Sequence, residues 1–282
     1  MKTEALRLNL TDMDDLRISL VQTALYWEDK KANLDMLQKK IADIPGQPHV
    51  IILPEMFSTG FSMDKEKLAE SMEGPTMAWL KKAAAEKKAI VTGSIMVRED
   101  REEITRYHNR LVWMQPNGEY GIYDKRHLFA YGKEDQHFSA GQSRLIAQVN
   151  RWKINLQICY DLRFPVWIRQ SGTQEKNAGP EYDLLIVVAN WPIARSLAWK
   201  TLLQARAIEN QCYVIGVNRT GTDGKGLAYG GESMVIGPLG EIIQMLSDQD
   251  EISSHLLDPS HLEEVRSKYP FWRDADGFLI QP

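Results

Sequence analysis

The sequence predicts an α/β protein: a mixed β-sheet with helices packed on its outside. Segments of strand pattern and helix pattern alternate along the chain, and hairpin turns add antiparallel strands. Several short apolar, β-branched runs also stop abruptly at polar residues, as buried strands do.

The elements follow in order. Leu16-Arg17-Ile18-Ser19-Leu20-Val21 alternates apolar and polar residues and reads as a strand. Residues 29–42 set Leu34, Leu37 and Ile41 at helical spacing. Residues 49–53 form a short β-branched strand halted by Pro54. A helix over 76–86 leads to a strand over 89–97. Strands over 107–114 and 120–123 are joined by the turn signal Pro116-Asn117-Gly118. Strands over 145–149 and 154–158 flank Asn150-Arg151, and 182–189 is a further buried strand. A helix over 195–209 precedes strands over 212–217, 233–236, 241–245 and 252–257, and 260–268 is helical. Between them, Thr220-Gly221-Thr222-Asp223-Gly224-Lys225-Gly226 reads as a flexible loop. No linker or repeat divides the chain, so residues 1–282 are expected to form one domain, with a core over about 16–257 and a C-terminal extension over 258–282.

Composition narrows the function. The 282 residues carry 34 Lys plus Arg against 38 Asp plus Glu, a net charge of −4, with 43% hydrophobic and 26% charged residues. That is ordinary globular composition and excludes disorder as the main state. The basic residues are scattered, so no positive field for nucleic acid is expected. The longest apolar run, Leu184-Leu185-Ile186-Val187-Val188-Ala189, falls far short of the roughly 20 residues a membrane span needs. The N-terminal residues show no apolar signal region. A soluble cytoplasmic protein is the expectation, with Cys159 and Cys212 as reduced, free thiols.

Three buried runs end in reactive residues: Ile51-Ile52-Leu53-Pro54-Glu55 in a carboxylate, Ile154-Asn155-Leu156-Gln157-Ile158-Cys159 in a thiol, and Val187-Val188-Ala189-Asn190-Trp191 in an amide and an indole. Ligands of open α/β sheets bind outside the carboxyl ends of strands, so the three ends point to one pocket. Burial as a small hydrophobe is the ordinary fate of a cysteine. Cys212 fits it, because Cys212-Tyr213-Val214-Ile215 simply continues a strand. Cys159 does not: Tyr160-Asp161-Leu162-Arg163-Phe164-Pro165 leaves the strand pattern at once, as in a sharp elbow that exposes a nucleophile. Such a thiol needs a base. His127 in Asp124-Lys125-Arg126-His127 is one candidate and Glu55 the other, because a desolvated carboxylate has its pKa raised toward the working pH. The remaining histidines lack paired spacing, two cysteines make no zinc site, and no dinucleotide or phosphate-loop string occurs, so no metal or cofactor is expected.

Leu53-Pro54-Glu55-Met56-Phe57, then Tyr123-Asp124-Lys125-Arg126-His127-Leu128-Phe129, then Ile158-Cys159-Tyr160-Asp161-Leu162-Arg163-Phe164-Pro165 resembles the nitrilase superfamily of carbon–nitrogen hydrolases. Each motif is weak alone; all three in this order are specific, and the match runs from Leu16 to about Leu257. Within the superfamily the chain looks most like the omega-amidases, which deaminate 2-oxoglutaramate and related short dicarboxylate monoamides. The resemblance implies a four-layer α-β-β-α sandwich, a homodimer paired through helices, and a Glu–Lys–Cys triad on Glu55, Lys125 and Cys159. It implies a second, positioning glutamate, which falls on Glu134 with Asp135 as the nearby rival, and it argues against His127 as the base. Phe129, Tyr131, Tyr160, Asn190 and Trp191 stand in or beside the motifs as pocket-lining candidates, with Arg163 and Arg195 as cations for a substrate carboxylate. The expected partners are therefore a small amide and water. Rival readings are a true nitrilase or an N-carbamoyl amidohydrolase, a silent binding protein on the same fold, and a redox-sensing thiol protein.

Overall fold

The computed structural model describes residues 7–8, 15–101, 104–170 and 179–280. Its first half runs β1 (Arg7–Leu8), β2 (Leu16–Gln22), α1 (Lys30–Asp43), β3 (Val50–Ile52), α2 (Lys65–Leu68) and α3 (Pro75–Lys87). Then come β4 (Ile90–Arg101), β5 (Ile104–Met114), β6 (Tyr120–Asp124), β7 (Ile146–Val149), β8 (Trp152–Ile158) and α4 (Pro165–Ile168). The second half holds β9 (Leu184–Ala189), α5 (Ser196–Asn210), β10 (Tyr213–Asn218), β11 (Thr220–Thr222) and β12 (Ala228–Gly230). It closes with β13 (Met234–Ile236), β14 (Ile242–Met245), β15 (Glu251–Leu257) and α6 (Pro259–Lys268). Local signals set the helix ends. The Asp29 carboxylate accepts the Ala32 N–H at 3.0 Å and starts α1, and Pro75 opens the first turn of α3.

The strands form two large sheets. One has six strands in the order β15-β2-β3-β4-β5-β6, with β2, β3 and β4 parallel. The other has seven in the order β1-β7-β8-β9-β10-β13-β14, with β8, β9 and β10 parallel. Strand alternation dictates how they stack. Ile18, Leu20, Val50 and Ile52 point toward the second sheet and meet Ile154, Leu156 and Ile158 in one core. Val21, Ile51 and Val91 point the other way, onto Leu37 and Ile41 of α1 and Met77 and Leu80 of α3. Each such aliphatic side chain contributes about 1.5–3 kcal/mol by leaving water. Trp199, Leu203 and Ala207 of α5 cover the far face of the second sheet. Gly216 in β10 permits that approach, because a Cβ there would lie 2.5 Å from Leu203 Cδ1 and 2.7 Å from Trp199 Cζ2. The result is helix, sheet, sheet, helix.

The expectation of a flexible loop over 220–226 needs correction. β11 and β12 pair there as an antiparallel hairpin. Asp223 organises its tip: Oδ1 accepts the N–H groups of Lys225 at 2.8 Å and Leu227 at 2.9 Å, and Oδ2 accepts the Tyr229 hydroxyl at 3.0 Å. At the C-terminal end, Arg266 of α6 ties the helix down through Asp183 Oδ1 (2.5 Å), the Tyr182 carbonyl (2.7 Å) and the Gln211 carbonyl (2.9 Å). Among the described residues no helix is long and apolar enough to cross a membrane.

Candidate active site

Four connections between strands and turns converge. Glu55 follows β3 on a turn pinned to β4: Leu53 N donates to the Thr92 carbonyl at 2.7 Å and Met56 N to Ser94 Oγ at 2.9 Å. Lys125 follows β6, its N–H held by the Asn109 carbonyl of β5 at 3.0 Å. Glu134 sits on a short 3₁₀ turn, Glu134–Gln136, and is fully buried, whereas Asp135 beside it is exposed. Cys159 directly follows β8 and begins a second 3₁₀ turn, Cys159–Arg163.

Glu55, Lys125 and Glu134 form one buried hydrogen-bonded cluster. Lys125 Nζ donates to Glu55 Oε1 at 2.8 Å and to Glu134 Oε2 and Oε1 at 2.9 and 3.1 Å. Asn109 Nδ2 bridges the same acids, at 2.8 Å to Glu55 Oε1 and 3.0 Å to Glu134 Oε1. Backbone donors complete the set: Asn190 N reaches Glu55 Oε2 at 2.8 Å, and Phe129 N reaches Glu134 Oε2 at 2.6 Å. Asn190 Nδ2 also holds the Glu55 carbonyl at 2.6 Å, which couples the end of β9 to the end of β3. Burial by itself pushes the Lys125 ammonium toward neutrality, but the Glu134 and Glu55 charges outweigh it, so its pKa lies above the ordinary lysine value. Burial raises the Glu134 carboxyl, with Lys125 pulling it down and Glu55 pushing it up. The cluster thus keeps a charged ammonium between two acids.

The nucleophile candidate is held in a strained elbow. Cys159 has φ +46°, a left-handed conformation unusual for a side-chain-bearing residue. Asp161 fixes the turn on both sides. Its Oδ2 accepts Ile158 N at 3.1 Å and the Tyr123 hydroxyl at 2.7 Å, and its Oδ1 accepts His127 N at 2.9 Å and pairs with His127 Nδ1 at 2.8 Å. His127 is therefore committed to Asp161 and stacks on Phe164, ring centres 3.7 Å apart. Burial raises the Cys159 thiol well above the usual range, the Glu55 charge raises it further, and Lys125 opposes both. The resting thiol carries its proton.

Cys159 and Lys125 border a cavity of about 310 Å³, together with the pocket-lining candidates Phe129, Tyr131, Tyr160, Asn190 and Trp191 and the two candidate cations Arg163 and Arg195. Tyr160 meets Phe129 edge-on with ring centres 5.0 Å apart, and the Arg163 guanidinium lies 4.8 Å from the centre of the Trp191 ring. Sequence reasoning passed over Asn109, which links the two acids from a central strand, and read the stretch over 220–226 as a loop that by family resemblance can border the site; its hairpin residues Asp223 and Lys225, with Leu227 and Tyr229, form another part of the wall. A polar side chain inside the run 107–114 was the available signal for Asn109. Cys212, by contrast, is fully buried in the core.

Known proteins resemble this chain in sequence and fold. Residues 17–267 match the carbon-nitrogen hydrolase family. The omega-amidase YafV of Escherichia coli K12 is 42% identical over 270 residues, covering 95% of this chain and 100% of the relative. The 2-oxoglutaramate amidase of Bacillus subtilis is 31% identical over 260 residues, covering 91% of this chain and 96% of its own. The crystal structure of XC1258 from Xanthomonas campestris, a CN-hydrolase superfamily protein with an arsenic adduct in its active site, superposes with a TM-score of 0.90 at 43% identity, covering 95% of this chain and 100% of that one. Together with the four-layer sandwich, these likenesses establish the chain as a carbon–nitrogen hydrolase of the nitrilase superfamily.

Proposed function

We propose that the protein is an omega-amidase that hydrolyses the terminal amide of 2-oxoglutaramate, or of a similar short dicarboxylate monoamide, to the acid and ammonia. The observation that carries this reading is the buried Glu55–Lys125–Glu134 cluster adjoining the cavity that the Cys159 thiol borders. The activities named for the Escherichia coli and Bacillus subtilis relatives support the substrate class.

Each residue of the cluster takes a part in the reaction. Glu55 removes the thiol proton as the sulfur attacks the amide carbon, and the carbonyl electron pair moves onto oxygen. The Lys125 ammonium and the backbone N–H of Tyr160 hold that oxyanion; loss of one such donor costs about 10²–10³ in rate. Collapse of the adduct breaks the carbon–nitrogen bond, Glu55 gives its proton to the departing nitrogen, and ammonia leaves a thioester on Cys159. Water then attacks the thioester carbon, giving a proton to Glu55; the carbon–sulfur bond breaks, and Glu55 returns that proton to the sulfur, restoring the thiol and its own carboxylate. Glu134 positions Lys125 throughout and touches no substrate atom. Phe129, Tyr131, Tyr160, Asn190, Trp191 and Arg163 shape the pocket.

The reading takes residues 1–282 as one catalytic domain acting in the cytoplasm as a homodimer, with no metal or cofactor. It is tested by ammonia release from 2-oxoglutaramate, from an aliphatic nitrile and from an N-carbamoyl amino acid. Turnover of the first alone is expected. Preference for either of the others replaces the omega-amidase reading with a nitrilase or a carbamoylase.

A further inference from the structure

Resting on the omega-amidase reading, we propose that Arg195 and Lys225 together hold the free carboxylate of the substrate and so select monoamides of diacids over neutral amides. Both side chains line the cavity that Cys159 borders, yet they come from elements remote from the nucleophile: Arg195 from the turn after β9, and Lys225 from the tip of the β11–β12 hairpin. The two elements are packed together, since a Cβ at Gly230 of β12 would lie 3.2 Å from Ile193 in the Arg195 turn. Arg195 is also braced on the cavity wall. Its guanidinium lies 5.2 Å from the centre of the Phe129 ring, and its carbonyl accepts the Trp191 indole N–H at 2.8 Å.

The charge balance of the wall points to an anion. Asp223 supplies the lone carboxylate among the described residues lining the cavity. Its oxygens are taken by two backbone N–H groups and the Tyr229 hydroxyl. Its charge also favours the Arg219 guanidinium, whose pKa burial lowers. The Arg219 guanidinium lies 4.6 Å from the centre of the Tyr229 ring. Arg195 and Lys225 therefore face the cavity with no carboxylate partner among the described residues. Unpaired cations on an aromatic wall match a ligand with one carboxylate and an apolar link to its amide. Arg163 is a different case. It ends the turn that starts at Cys159, and its guanidinium lies over Trp191, on another stretch of the same cavity wall. Of the two cations, Arg195 supplies a planar two-donor fork and Lys225 a compact charge on the exposed side.

The test compares glutaric acid monoamide with pentanamide, which keeps the chain length and removes the carboxylate. The measured quantity is the ratio of kcat/KM for the acid over the neutral amide in wild type, Arg195→Gln and Lys225→Gln. Lys225 is exposed, so its variant folds even if loss of the Arg195 contact with Phe129 disturbs that one. Wild type is expected to favour the acid, and each variant to lower the ratio by about 10- to 100-fold, mainly through KM. Equal losses on both substrates, or an unchanged ratio in both variants, would overturn the clamp while leaving the omega-amidase reading in place. A wild-type enzyme that favours pentanamide, or hydrolyses neither compound, would overturn that reading and the clamp with it.

Discussion

Lys125 Nζ sits 2.8 Å from Glu55 Oε1, although 70 residues separate the two along the chain. Two turns, one after β3 and one after β6, bring the two buried side chains into direct contact. Asn109 donates to both acids, and Glu134 takes the remaining hydrogen bonds of the Lys125 ammonium.

Removing the cation should damage both chemistry and fold. Lys125→Met leaves Glu55 and Glu134 buried and facing each other, and breaking a buried pair in this way costs about 3–5 kcal/mol. The raised pKa of Lys125 means that its contribution is fully present below the unfolded value of about 10.4 and is lost only as pH rises through the higher folded value. In the variant the Glu134 carboxyl, already raised by burial, loses the cation that pulls it down, so stability should fall as pH rises above the carboxylate range. Thermal melts from pH 4 to 8 check the sign, and amide turnover should drop at least about 10²-fold. A variant of wild-type stability and rate would remove Lys125 from both roles.

The resting thiol should resist ionisation. Burial and the Glu55 charge raise the Cys159 pKa, so its alkylation by iodoacetamide should keep accelerating past about pH 10, where a free thiol of pKa about 8.5 has levelled off. The same sign makes the folded state retain a proton that the unfolded chain releases, so this contribution to stability is lost as pH rises through the alkaline range. Cys212 has its pKa raised by burial too, and should react only on unfolding. A rate plateau near neutral pH would show a stabilised thiolate instead.

Asp161 should act through the nucleophile without touching substrate. Asp161→Asn turns one acceptor oxygen into a donor and so loses part of the set Ile158 N, Tyr123 hydroxyl, His127 N and His127 Nδ1. The expected result is a destabilisation of about 1–3 kcal/mol and a fall in kcat with KM little changed, as the Cys159 elbow relaxes. A change confined to melting temperature would mean a structural role alone.

The strand ends carrying Glu55 and Cys159 were legible because apolar runs break there into reactive residues. The Gly- and Thr-rich stretch over 220–226 was not, since β11 has little apolar pattern and its order comes from Asp223 bonding back to its own turn. The residue pattern alone pointed to a mixed sheet, and the family likeness was needed for the second layer. Strands such as β9 are buried on both faces and read as continuous apolar runs, with no alternation to assign a side. Glu134 and Asp135 are equivalent in composition, and only the turn at 134–136 makes one buried and the other exposed. Asn109 was passed over because its meaning lies in two acids from distant segments.

The central claim is that the substrate's acyl group rests on the Cys159 sulfur between two steps. Intact-mass analysis of enzyme quenched in acid during turnover of 2-oxoglutaramate measures this directly. The expected result is a mass gain equal to the substrate less ammonia, mapped by peptide analysis to Cys159 and absent from a folded Cys159→Ala variant that no longer releases ammonia. An adduct on Cys212, or full ammonia release from Cys159→Ala, would contradict it.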